Sequence, residues 1–97
     1  MSEAATSAVT VSPEGNIIGT ISRRFREELT NVLAAGAINI SIDMHLVQMI
    51  DSTGIGAIVG VQKVLSERGG GLVLTGVSDD IQMMVKIMHL DKHLTIR

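Results

Sequence analysis

Residues 37–60 read "AINISIDMHLVQMIDSTGIGAIVG", and two different periods meet within them. In the first part Ile38, Ile40, Ile42 and Met44 alternate with Asn39, Ser41 and Asp43, the pattern of a strand with one buried and one wetter side. In the second part the spacing changes: Gly54, Ala57 and Ile58, continued by Val61, Val64 and Leu65, share one face of a helix. Asp51, Ser52 and Thr53 stand where that helix begins, and such side chains satisfy the free amides of a helix start. The segment therefore predicts a strand, a linking "HLVQMI" and a helix.

The same two periods recur on either side. Upstream, "AVTVSPEGNII" begins with alternating Val9 and Val11 and is punctuated by Pro13 and Gly15, which predicts an edge or bulged strand bent near a turn. From Thr20 onward Ile21, Phe25, Leu29, Val32 and Leu33 mark one helical face, with Gly36 as its stop and the arginines on a solvated side. Downstream, "RGGG" at 68–71 ends the second helix, "LVLTGV" at 72–77 suits a central strand, and Ser78 can cap a third helix opened by Asp79 and Asp80. Ile81, Met84, Val85 and Met88 face inward in this reading, core packing accounts for a second stripe of Met83 and Ile87, and "HLTI" closes the chain as a last strand or irregular tail. Strand and helix alternate three times, which predicts an α/β layer with crossover connections and helices mainly on one side.

Composition narrows the function. A chain of 97 residues holds one compact domain, and its 45% apolar content includes one Phe and no Tyr or Trp, so the core is aliphatic. Eight basic residues against ten acidic ones give a net charge of −2, which argues against a nucleic-acid footprint, as does the lack of aromatic platforms for bases. The absence of cysteine excludes disulfides and thiolate chemistry and is compatible with the cytosol. Residues 1–8 read as a flexible tail without the features of a signal peptide, and no apolar run is long enough to insert directly into a membrane. The expectation is a cytoplasmic protein.

Three readings of residues 51–60 remain. Gly54, Gly56 and Gly60 hint at a phosphate cradle, but Val59 occupies the position of the third glycine in the dinucleotide fingerprint and no Gly-Lys-Ser/Thr follows. Helix packing explains the glycines without a cofactor. Catalysis by Ser52 or Thr53 needs a base, and the spacing of His45, His89 and His93 puts none beside them. His89 and His93 would be a helical i, i+4 pair, yet no third metal ligand is evident. In the third reading Ser52 is itself modified: a phosphate at a helix start meets free amides and the positive end of the dipole. On a helical wheel Ile55, Val59, Gln62 and Ser66 lie opposite the core stripe, so Ile55 and Val59 are expected to face solvent and a partner beside Ser52. Against it stands the plain capping role of Asp51, Ser52 and Thr53.

"INISIDMHLVQMIDSTGIGAIVG" resembles the central strand, loop and D-S-[ST]-G-L-G motif of the STAS domain, shared by sulfate transporters and anti-sigma factor antagonists, with Ile55 in place of Leu. "FREELTNVLAAG", "RGGGLVLTGVSDDI" and "MHLDKHLTI" resemble the family's first helix, following strand and ending, so the likeness runs over residues 9–97. It implies a single STAS-type α/β domain with a mixed sheet of about four strands, and a regulatory binding protein rather than an enzyme, with no metal or cofactor.

In the antagonist branch the dephosphorylated protein binds an anti-sigma factor that is also a serine kinase with a histidine-kinase-like ATPase fold, which frees the kinase's client. Phosphorylation of the serine ends binding, and a metal-dependent serine phosphatase restores it. By this resemblance Ser52 is the phosphoacceptor, and Asp51, Thr53, Gly54 and Gly56 complete a partner-binding surface to which Ile55 and Val59 are added from the helical wheel. The alternative within the family is a STAS subunit docked on a membrane lipid or anion transport complex. Two departures stand out: "GNII" with Asn16 and Ile18 where many antagonists have G-E-L-D, and little chain after Ile96 for a last family helix.

Overall fold

The computed structural model describes residues 8–97, so the tail expected over 1–8 lies, apart from Ala8, outside the described residues. The elements follow in the order β1 (Ala8–Val11), α1 (Thr20–Ala34), β2 (Asn39–Asp43), α2 (Ser52–Glu67), β3 (Gly71–Thr75), α3 (Asp79–Ile87) and β4 (Thr95–Ile96). They form one four-stranded sheet in the order β1-β2-β3-β4. Since each crossover adds the next strand on the same side and crossovers are right-handed, all three helices come to lie on one face.

The alternation in β2 sets this layering. Ile40 and Ile42 are buried and pair in register with Leu72 and Leu74 of β3, while Val11 pairs with Ile42 from the other side. These residues meet Phe25, Leu29, Ile58, Leu65, Ile81 and Val85 of the helices in one core. The opposite face carries the register row Thr10, Ser41, Val73 and Thr95, three hydroxyls and a valine, and no described helix covers it. Parallel sheets are usually covered on both sides, and the polar alternation is what lets this one stay open.

Where the family likeness implies a mixed sheet, all three described pairings are parallel. Residues 12–19 do not return beside β1 as a hairpin strand but turn away from it. Pro13 has no N–H to give a ladder, and Ile17 makes a parallel bridge with Ile50, across the α1 connection.

Two of the helical faces differ from the sequence expectation. In α1 Phe25 and Leu29 are buried and Val32 and Leu33 half-buried as expected, but Ser22 takes the first buried position and Ile21 is 46% exposed. In α3 only Ile81 and Val85 are buried, Met84 is half-buried, and Met83 and Ile87 are 63% and 71% exposed rather than packed in the core. Ser78 caps α3 as expected, its Oγ accepting from the Ile81 amide at 3.2 Å.

Helices α1 and α2 are joined at their C-terminal ends by Arg68. Its Nη1 donates to the carbonyls of Leu33 at 2.9 Å and Ala37 at 2.8 Å, placing a cation at the negative end of α1, where Leu33 O also accepts from Gly36 N–H at 3.0 Å. The following glycines make the turn: Gly69 has φ +84, and a Cβ on Gly70 would collide with the Ile38 carbonyl oxygen.

Candidate functional site

The β2–α2 connection folds back on itself, with Met44 N–H donating to Thr75 O at 2.7 Å and Val47 N–H to Met44 O at 2.9 Å. It then runs beside residues 16–18. Ile17 N–H donates to Met49 O at 2.9 Å, and Asp51 N–H to Ile17 O at 3.0 Å, so Ile17 and Ile50 point into the core. Asn16 Oδ1 holds the outer edge by accepting from the amides of Gln48 at 2.9 Å and Met49 at 3.0 Å.

Asp51 ends this segment in extended conformation and caps α2. One carboxylate oxygen accepts from Gly54 N–H at 3.0 Å. The other reaches across to α1, accepting from Gly19 N–H at 2.9 Å and lying 3.1 Å from the Ser22 hydroxyl, which also reaches Gly19 O at 2.8 Å. Gly19 stands at φ +60, a conformation that suits glycine, and this turns its amide toward the acid. One carboxylate thus serves the starts of two helices. The Gly54 amide, followed by those of Gly19 and the Ser22 hydroxyl, holds the Asp51 carboxyl below its ordinary range, against the opposing effect of burial.

Ser52 is the first residue of α2 and its side chain is exposed, with Thr53 half-buried behind it. Neither hydroxyl is hydrogen-bonded to a histidine among the described residues: His45 Nδ1 lies 2.7 Å from Asp43 Oδ1. That contact, first of all, lowers the Asp43 pKa. His89 and His93 do not share a helix, because α3 stops at Ile87 and His89 has φ +59. Gly54, Gly56 and Gly60 lie inside α2, and no glycine loop precedes it.

The glycines differ in purpose. Gly54 is buried, and a Cβ there would stand 2.7 Å from Ile50 Cγ1 and 2.9 Å from Ile17 Cγ2. It lets α2 start directly on the Ile17–Ile50 bridge. Gly56 and Gly60 face open space. Ile55, expected at the surface, is 4% exposed and belongs to the core, because α2, the middle crossover, buries Ile55 beside the stripe of Gly54, Ala57, Ile58, Val61 and Leu65. Val59 is half-buried and borders a groove of about 470 Å³ with Gln62, Lys63 and Leu90. The structure therefore brings Asp51, Ser52, Thr53 and Gly56 to one surface and withdraws Gly54 and Ile55 from it.

The arrangement can present an acceptor hydroxyl on a rigid helix start, and it contains no base to activate that hydroxyl itself. Compared with known protein families, residues 1–97 match the STAS domain. The chain belongs to the STAS domain family. It is 30% identical over 95 residues to the anti-sigma-B factor antagonist of Listeria monocytogenes, covering 98% of this chain and 83% of that protein. Its fold is similar to that of the anti-sigma factor antagonist SpoIIAA in its unphosphorylated form, with a TM-score of 0.79 at 14% identity over 94% of this chain and 81% of the other. The phosphorylated form of the Bacillus SpoIIAA gives 0.67 at 15% identity over 95% and 84%. A sulfate transporter family protein from Wolinella succinogenes shares the fold at a TM-score of 0.73 and 21% identity, over 92% and 76%.

Asn16, Gly19 and Ser22 escape a reading of the sequence alone. Ser22 leaves one trace, a small polar residue three positions before Phe25 and seven before Leu29, in phase with the buried stripe. Among the described residues no helix is long and apolar enough to cross a membrane.

Proposed function

We propose that this chain is an anti-sigma factor antagonist in a partner-switching pathway of the cytoplasm, switched at Ser52. The observation that carries the reading is the exposed Ser52 hydroxyl on the first turn of α2, beside an Asp51 carboxylate whose two oxygens are both engaged. The Listeria relative, named as an antagonist, supports the reading, as does the existence of SpoIIAA in phosphorylated and unphosphorylated forms.

In this function the unmodified surface of Asp51, Ser52, Thr53 and Gly56, with Val59 at its margin, binds an anti-sigma factor that is also a serine kinase with a histidine-kinase-like ATPase fold, and the kinase releases its client. The chain supplies an acceptor and a shape. The kinase removes the Ser52 proton, Ser52 Oγ forms a bond to the γ-phosphorus of ATP, and ADP leaves. The product carries about −1.5 to −2 charges beside Asp51, and a partner surface fitted to a neutral hydroxyl meets bulk and repulsion. A metal-dependent phosphatase then transfers the phosphoryl group to water and restores the hydroxyl. Gly54 and Ile55 act from beneath, by fixing the helix start.

The test is reconstitution with the purified anti-sigma factor of the same cells and ATP. Wild-type chain should bind, become phosphorylated on Ser52 and dissociate. Ser52→Ala should bind without release, and Ser52→Asp should bind weakly. Equal binding by Ser52→Asp and wild type would overturn the reading, as would a Ser52 that stays unmodified while the chain fractionates with a membrane transporter.

A further inference from the structure

Ile18, Ile21 and Met49 are 41%, 46% and 58% exposed, and the backbone ladder explains why they gather beside Ser52. Ile17 and Ile50 point inward from their parallel bridge, so the neighbours on each side, Ile18 and Met49, point outward. Ile18 comes next to Asp51, whose N–H is bonded to the Ile17 carbonyl, and Met49 next to Asn16, whose side chain holds the Met49 amide. Ile21 is tied to Ile18 through the Ile21 N–H to Ile18 O bond of 3.1 Å, at the start of α1. Beyond Ile21 the surface dips into a hollow of about 440 Å³ over Phe25, with Glu14, Arg24 and Glu28 on its rim.

We infer that Ile18, Ile21 and Met49 are a specificity surface for the kinase, covered by an apolar face of that partner when it engages Ser52. The inference rests on the proposed function and adds to it the chemistry of the contact. A kinase that brings ATP to Ser52 Oγ must lie over the residues adjoining the helix start, among which Ile18, Ile21 and Met49 are exposed and apolar. The one carboxylate at the centre, Asp51, has its oxygens turned inward to Gly54, Gly19 and Ser22. Recognition by a basic partner face has little to meet there, whereas three exposed aliphatic side chains in a row lose water on contact. The hollow beyond Ile21 is shaped for an anchoring side chain of the partner, with the charged rim at the border of the footprint.

The test compares Ile18→Glu, Ile21→Glu and Met49→Glu with Met83→Glu and Ile87→Glu, which change more exposed apolar residues on α3. The probe is the purified ATP-binding anti-sigma factor of the same cells, and the readouts are its affinity for the unmodified chain and the steady-state kinetics of Ser52 phosphorylation. Thermal unfolding confirms that each variant folds. The first three should weaken binding about tenfold or more, raising KM with kcat held, because they touch docking and not the transferred group. The α3 pair should remain within about twofold, and affinity should change little with salt. Folded variants of Ile18 and Met49 that bind like wild type, while Ser52→Asp still binds weakly, would overturn this inference and leave the switch standing. If Ser52→Asp binds as well as wild type, the switch and this inference fall together.

Discussion

Replacing Gly54 by Ala should destabilise the domain, although the same change at most exposed helix positions does the reverse. A Cβ on Gly54 would stand 2.7 Å from Ile50 Cγ1, 2.9 Å from Ile17 Cγ2 and 3.0 Å from Ile50 Cδ1. Favourable carbon contacts lie at about 3.5–4.0 Å, so both isoleucines must retreat by roughly 1 Å. Neither has room, since both are buried and paired with each other through the backbone. Overpacking of this kind costs about 1–3 kcal/mol, against which alanine recovers up to about 1 kcal/mol of helix propensity. The expected net loss is about 1–2 kcal/mol, or roughly 5–10 °C in melting temperature for a domain of this size. Gly56→Ala and Gly60→Ala, with open space at the same atom, should instead gain about 0.5–1 kcal/mol each. Because the chain has no Trp or Tyr, unfolding is best followed by far-UV circular dichroism against temperature and urea. Ile50→Val, which removes one crowding carbon, should partly rescue Gly54→Ala. A Gly54→Ala variant melting at or above wild type would refute the reasoning.

Three further outcomes follow from the same contacts. Arg68→Ala should cost about 1–2 kcal/mol in urea unfolding, because the buried end of Ala37 and the last turn of α1 lose a charged donor. Gly70→Ala should cost about 3 kcal/mol or more, since the Cβ meets the Ile38 carbonyl as well as its side chain and the backbone cannot swing aside, and the amide signals of Asn39 and Gly71 should shift most. The depressed Asp51 pKa gives a stabilising contribution that is fully present above about pH 4, the ordinary carboxylate value, and is lost as pH falls through that value toward the lower folded one. Urea midpoints measured from pH 7 to pH 3 should therefore fall less steeply for Asp51→Asn than for wild type, with a residual slope from Asp43, whose pKa is lowered in the same direction.

The features legible in the sequence are those that depend on neighbours along the chain. The alternation of Ile38, Ile40, Ile42 and Met44 located β2 and its polar side, and Asp51 and Ser78 were read correctly as helix caps, since a cap acts within three residues. The errors come from distant contacts. In the first turn of α1 Ser22 is drawn inward by Asp51 29 residues later and Ile21 is left outside, and nothing local to Ile21 reveals this. Ile55 looked exposed because a helical wheel assumes one covered side, while α2 lies in the middle of the layer. Met83 and Ile87 looked buried because their spacing is apolar, and spacing does not say whether a second layer exists to cover them. The site divides in the same way: Ser52 and its glycines stand out in the sequence, but the clamp of Gly19 and Ser22 on Asp51 does not.

That clamp ties the start of α2 to a part of the chain made much earlier. Asp51 takes its Gly19 partner from 32 residues upstream, so its bonds to Gly19 and Ser22 form only after α1 has docked. In a partly assembled chain Ser52 would sit on a fraying end, with its acidic neighbour free to swing. Under the proposed function, a kinase that reads the geometry of this turn would pass over nascent or damaged copies, and phosphate on Ser52 would be confined to molecules that had finished folding. For the same reason, transplanting "DSTGIG" into another sheet would move the letters without the site, unless Gly19 and Ser22 travelled with it.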